Sequence, residues 1–149
     1  MRSLLWRRLD APGMEIARVE SFEHAEGTQI GITYELHWRL DGTGLELEIA
    51  GGERRTVDLG DADFFDVFAS PFFNSLPVLR DGLLDEGAPR DYTMAFVDVP
   101  SLVTTPSQQR YTPKGNRVVG YASGDFAADI EFDADGFVVR YDGFLERVD

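Results

Sequence analysis

The 149-residue chain has no cysteine, one lysine (Lys114) and two histidines (His24 and His37). Without cysteine there are no disulfides, no thiolate nucleophile and no cysteine-ligated zinc. Neither histidine has a partner at metal-ligand spacing, and His37 falls on the polar side of an alternating stretch, so both read as solvated. No Gly-x-Ser-x-Gly elbow, phosphate-binding glycine loop or His-Glu-x-x-His motif occurs. The expectation is a non-catalytic protein with no catalytic residue, metal or cofactor; a carboxylate pair doing acid-base work stays open, because sequence does not give carboxylate separations. No stretch approaches the roughly 20 apolar residues of a membrane span. After Arg2 the apolar run is only Leu4 to Trp6, shorter than the roughly 7 to 15 residues of a secretion signal. A cytoplasmic, non-membrane-spanning protein is expected.

What the chain does have is acid: 27 Asp and Glu against 14 Lys and Arg, a net charge of −13. Such a field repels nucleic acid phosphates and anionic membrane surfaces, so no nucleic acid partner is expected. Acidic excess with almost no lysine also fits a salt-rich cytoplasm, in which screening damps self-repulsion; a merely acidic protein is the equal alternative. Hydrophobic residues make up 43% of the chain, enough for one globular domain over residues 1–149.

Alternation dominates the pattern. Ile30, Ile32, Tyr34, Leu36, Trp38 and Leu40 occupy every second place, which predicts one half-buried strand; Ala25 to Thr28 before it reads as a connection. Asp41 to Gly44 turns the chain into Leu45, Leu47 and Ile49, and Val57 and Leu59 continue the meander. Strands follow around Tyr92 to Phe96, Gln108 to Thr112, Arg117 to Ala122, Phe126 to Phe132 and Phe137 to Tyr141. Eight to ten short strands predict an all-β fold, a curved antiparallel barrel or half-barrel with mostly meander connections. Glu131-x-Asp133-x-Asp135-Gly136 nearly has calcium-loop spacing, but its flanks alternate as strands, so a β-hairpin is expected. Asp61, Asp63 and Asp66 read as a solvated acidic turn rather than a metal cluster.

One stretch resists this scheme. Asp66 to Arg80 carries Pro71 and Pro77, each lacking a backbone N–H, and reads as neither regular strand nor regular helix. Yet Phe68, Phe72, Phe73, Leu76, Val78 and Leu79 are too apolar for a solvated loop. It must fold back on the body, line a cavity or present a binding surface.

Trp6-Arg7-Arg8-Leu9-Asp10-x-Pro12-Gly13, Ser70-Pro71-x-x-Asn74-Ser75-Leu76-Pro77-x-x-Arg80, Gln109-Arg110-Tyr111 and Asp133-x-Asp135-Gly136-Phe137-Val138-Val139-Arg140-Tyr141-x-Gly143 occur in this order from end to end. Together they resemble the "putative glycolipid-binding" family of bacterial and archaeal proteins. The resemblance implies a curved barrel or half-barrel similar to lipoprotein carriers, with an apolar concavity for a lipid or glycolipid and no catalytic residues. Phe73 stands where that family usually has a small polar residue, which implies a narrowed or closed concavity.

The candidate ligand-binding residues are Trp6, Arg7, Arg8, Tyr34, Trp38, Phe72, Asn74, Leu76, Arg80, Arg110, Tyr111 and Tyr141. Apolar members would line the cavity, and the arginines and Asn74 would hydrogen-bond a headgroup. Each also has a plainer reading: a filled core for the apolar residues, surface ion pairs for Arg7 and Arg8, a turn bond for Asn74 and a core plug for Trp6. The alternative function is a protein interaction or homodimerisation module that docks through the apolar Phe68 to Leu76 loop.

Overall fold

A computed structural model describes residues 1–148. Thirteen strands form one curled sheet: β1 (Arg2–Arg8), β2 (Met14–Ser21), β3 (His24–Ile30), β4 (Glu35–Asp41), β5 (Gly44–Ile49), β6 (Arg54–Asp58), β7 (Phe64–Val67), β8 (Arg90–Val97), β9 (Thr104–Gly115), β10 (Val118–Ser123), β11 (Phe126–Phe132), β12 (Val138–Tyr141) and β13 (Leu145–Arg147). Between β7 and β8 lie a 3-10 turn (Pro71–Asn74) and the helix α1 (Ser75–Asp81).

The strand order is β6-β5-β4-β3-β2-β1-β13-β12-β11-β10-β9-β8-β7. The chain starts at mid-sheet, meanders out to β6, and resumes at the opposite edge as β7. A connection of five residues, 59–63, spans at most about 18 Å, so the two edges must be brought near each other by curling. Arg55 Nη1 on β6 reaches across, donating at 2.8 Å to the carbonyl of Leu102 in the loop between β8 and β9. The sheet is a half-barrel, curled without closing. All pairings are antiparallel except β7 with β8, where the crossover through α1 carries the chain across the inner face.

The curved antiparallel expectation therefore holds, with more strands than the eight to ten predicted. Two local readings are corrected. The alternating run Ile30 to Leu40 is not one strand: Gly31 to Tyr34 is a turn closed by Gly31 N–H to the Tyr34 carbonyl at 3.0 Å, and Ala25 to Thr28 belongs to β3. A Cβ on Gly31 would lie 2.2 Å from the Tyr34 ring, so the turn requires glycine there. Leu36, Trp38 and Leu40 point inward as expected, but Ile30 and Ile32 are exposed.

The second correction concerns the prolines. Pro71 opens the 3-10 turn and Pro77 lies in the first turn of α1, where backbone N–H groups have no intrahelical partner to lose. Gly82, at φ +66°, caps the far end by donating to the Val78 carbonyl at 3.0 Å. The whole segment is a plug in the concavity. Phe72, Phe73, Leu76 and Val78 are buried; Phe72 stacks on Trp38 at 5.4 Å between centroids and Phe73 tilts against it at 4.8 Å. Phe72, Phe73 and Leu76 are spent in the core, which corrects the reading of this loop as a docking surface.

Candidate functional site

Two buried carboxyl groups flank the plug. The first is Glu15 on β2, whose Oε1 accepts from Trp38 Nε1 at 2.7 Å and from the Ser70 hydroxyl at 2.5 Å. Gln29 Nε2 donates to Ser70 Oγ at 2.9 Å and to the Phe68 carbonyl at 2.7 Å, and Gln29 Oε1 accepts from the Tyr34 hydroxyl. This network ties the Phe68 to Ser70 elbow, with Ala69 at φ +61°, to strands β2 to β4. Burial outweighs the two hydrogen bonds and pushes Glu15 up to about 8. Its carboxyl is protonated at neutral pH.

The second is Asp66 on β7, which faces a cleft of about 430 Å³ on the other side of the plug. Gln109 Nε2 donates to Asp66 Oδ2 at 2.8 Å, and the Val67 amide also stabilises the charge. Burial nevertheless raises Asp66 to about 6. Gln109 is itself buried, and its Oε1 has no hydrogen-bond partner among the described residues. A buried, unpaired acceptor costs roughly 1 to 3 kcal/mol; Glu15 Oε2 and Ser75 Oγ are likewise buried without a partner, but of the three only Gln109 lies in the lining of this cleft, where a ligand donor would satisfy it.

The cleft wall is aromatic. Tyr121 and Phe126 meet at 5.9 Å, Phe126 and Tyr141 at 6.3 Å, Tyr141 and Phe144 at 5.2 Å, and Phe144 and Phe68 at 5.8 Å, forming a continuous arc of rings. Strands β10 to β12 place the first three at inward or rim positions, and the turn after β12 presents Phe144. Burial raises the phenols of Tyr121 and Tyr141, and the Asp66 charge adds to it, so both remain neutral hydroxyls.

Of the predicted ligand residues, Asn74 and Tyr141 line this cleft; Asn74 also donates to the Tyr111 hydroxyl at 3.2 Å. Trp6, Trp38, Phe72, Leu76 and Tyr111 are core, with Trp6 Nε1 bonded to the Val138 carbonyl at 2.8 Å. Tyr34 is held in the Glu15 network. Arg7 pairs with Glu146 and Arg110 with Asp91, both on the surface. Arg80 pairs with Asp81 and covers the Phe64 ring at 4.3 Å. Arg8 pairs with Asp10 and lies over Phe68 and Phe144 at 5.2 and 5.0 Å, so it supports the arc without lining the cleft. The cleft residues that sequence reasoning did not select include Asp66, Gln109, Tyr121 and Phe144. Asp66 is buried on β7, which corrects its reading as part of a solvated acidic turn; its apolar neighbours in Phe64-Phe65-Asp66-Val67-Phe68 were the signal that the strand carries it inward.

A larger depression of about 610 Å³ lies on the outer face of β2 to β6. Charged side chains that pair across the strands line it, including Arg18 with Glu26 and Arg54 with Glu48. It is a solvated saddle between ion pairs and has no buried polar group turned into it. The turn at Asp133 is a hairpin as expected: Asp133 Oδ1 accepts from the Asp135 and Phe137 amides while Oδ2 holds Arg2 and Arg147. Among the described residues no cluster has the makings of a metal site, and no helix is long and apolar enough to cross a membrane.

Residues 24–147 match the family described as "Putative glycolipid-binding", and the chain belongs to that family. The crystal structure of a DUF1089 family protein from Pseudomonas aeruginosa, determined at 1.80 Å resolution, is similar: 25% identity and a TM-score of 0.59, over 93% of this chain and 79% of that one. No curated protein matches the chain.

Proposed function

We propose that this member of the family is a non-catalytic binding protein for an amphipathic small molecule, a lipid or glycolipid, and that the aromatic cleft between the plug and strands β9 to β13 receives one end of it. The observation that carries the reading is the unpartnered, buried Gln109 Oε1 beside Asp66 in an otherwise aromatic wall. Binding sites commonly combine a mostly apolar lining with a few directed polar groups in this way. The cleft volume sits near the low end of the roughly 300 to 1,000 Å³ range for such sites, because Phe72, Phe73 and Leu76 fill the rest of the concavity. It therefore suits a headgroup or a single chain end, with the remainder of the ligand lying along the rim at Phe126.

The test is native mass spectrometry of protein purified gently from its own host, followed by solvent extraction. A defined co-purifying amphiphile that disappears on extraction, and whose rebinding is weakened by Tyr141→Ala, supports the reading. A protein that carries nothing and takes up no member of a panel of alkyl amphiphiles overturns it. We place this activity in a salt-rich cytoplasm, on the −13 charge and the near absence of lysine; a melting temperature that fails to rise in molar KCl would remove that setting.

A further inference from the structure

The chemistry of the cleft narrows what can enter it, and the following step rests on the binding reading above. The ionisable residues that line the cleft are Asp10, Asp66, Tyr121 and Tyr141, with no arginine, lysine or histidine among them. Asp66 is buried, and so is the Gln109 carbonyl oxygen beside it, both as acceptors. Asp10 at the rim is held ionised by Arg8. Facing them is the arc of Phe68, Phe144, Tyr141, Phe126 and Tyr121 rings, whose π faces attract cations. The protein's own Arg8 guanidinium, stacked on Phe68 and Phe144 at 5.2 and 5.0 Å, already uses two of these rings in that manner.

We propose that the cleft selects a ligand with an organic cation, an alkylammonium or amino-sugar head, which sits against the Asp66 carboxylate and the aromatic arc, and that it rejects phosphate- or sulfate-bearing amphiphiles. An anionic head would meet the Asp66 carboxylate with no base among the lining residues, since Arg8 beside the rim is committed to Asp10; a neutral sugar would hydrogen-bond Gln109 Oε1 and Asp66 but bring no positive charge to the buried carboxylate. The groups that face Asp66 are the neutral phenols of Tyr111, Tyr121 and Tyr141, which burial raises well above their ordinary value; Glu15, raised to about 8, lies on the other side of the plug and does not line the cleft, so within the cleft Asp66 is the group that changes charge near pH 6. Cation binding should accordingly be full above pH 7 and fall as the pH drops through about 6.

The experiment is calorimetric titration of the full chain with decylammonium, decyl glucoside and decyl sulfate, each below its micelle threshold, at pH 7.5 in moderate KCl. The expected result is cation binding at least tenfold tighter than glucoside and weakest binding for sulfate, with Asp66→Asn lowering cation affinity about tenfold and leaving glucoside within about twofold. Asp91→Asn, which removes a surface acid far less buried than Asp66, controls for attraction to the net charge and should change nothing. Where Asp66→Asn fails to fold, Phe126→Ala at the exposed rim and the loss of cation binding at pH 5 carry the same test. Glucoside or sulfate binding as tightly as the cation overturns this inference and leaves the amphiphile reading standing; binding of none of the three overturns both.

Discussion

The two sides of the plug are built from the same materials, a buried carboxyl, an amide and a set of aromatic rings, and are put to opposite uses. On the β2 to β4 side the groups are packed inward and no gap remains: Glu15 holds Trp38 and Ser70 through Oε1, with Oε2 left unpartnered, Gln29 holds Ser70 and Tyr34, and Phe72 and Phe73 fill the space over Trp38. On the β9 to β13 side, Asp66 and Gln109 hold each other but leave Gln109 Oε1 free, and the rings stand around a gap instead of closing it. The difference lies in where the plug leans. A short helix cannot fill both sides of a curled sheet, so one side becomes core and the other remains available.

The comparison breaks first at Trp38. Trp38→Ala removes a buried ring, two aromatic contacts and one of the two donors to Glu15, leaving a cavity and a carboxyl held by Ser70 alone. A loss of about 3 to 5 kcal/mol is expected, read as a fall in the urea midpoint. A loss below about 1 kcal/mol would mean that the plug is not seated on this side. Tyr141→Ala in the cleft should cost clearly less, since its wall already borders open space.

Glu15 sharpens the contrast through pH. Its folded-state value, about 8, lies above its ordinary 4.5. The folded protein therefore holds a proton that the unfolded chain releases, and this contribution is complete below pH 4.5 and lost as the pH rises through 8. The unfolding free energy from urea titrations should fall across that window with a slope approaching about 1.4 kcal/mol per pH unit. Asp66, raised to about 6 from 3.8, adds a loss confined to the acidic end of it. Glu15→Gln keeps an acceptor for Trp38 and Ser70 and should flatten stability between pH 6 and 8. A wild-type midpoint that does not change over that range would contradict the burial of the Glu15 charge.

A smaller effect is expected from crowding the same side. A Cβ on Gly27 would lie 2.3 Å from the Trp38 ring, so Gly27→Ala should cost about 1 to 3 kcal/mol by forcing the ring off its seat. In the Trp38→Ala background the same change should be nearly neutral. Additive effects in that double-mutant cycle would show that the strain is not at Trp38.

Much of the architecture was legible because alternation reports which face of a strand is dry: Leu36, Trp38 and Leu40, Leu45 and Leu47, and Ile130 and Phe132 are all inside. Alternation does not report where a strand stops. Ile30 and Ile32 continue the phase of Leu36 through a turn, and only Gly31, pressed under Tyr34, marks the break. The helix was hidden because proline in a first turn looks the same in sequence as proline in a loop. The cleft was hidden for a different reason. Tyr111 and Tyr141 carry the same residue type at similar inward positions, yet Tyr111 is packed between Tyr92 and Tyr121 while Tyr141 borders the gap. Which of two inward rings meets empty space is decided by the plug, a contact between residues far apart in the chain.

The mildest test asks whether a rim ring serves binding alone. Phe126 is half exposed and touches Tyr121 and Tyr141 only at ring distances of 5.9 and 6.3 Å, so Phe126→Ala should lower the unfolding free energy by no more than about 0.5 kcal/mol. If the arc grips a ligand, the same change should weaken amphiphile binding by about three- to tenfold, the worth of one aromatic contact. Equal and small effects on both would make the ring a surface residue and confine the site to Asp66, Gln109 and Tyr141. A large stability loss would mean that the arc is core like the Trp38 side, and the asymmetry between the two sides would disappear.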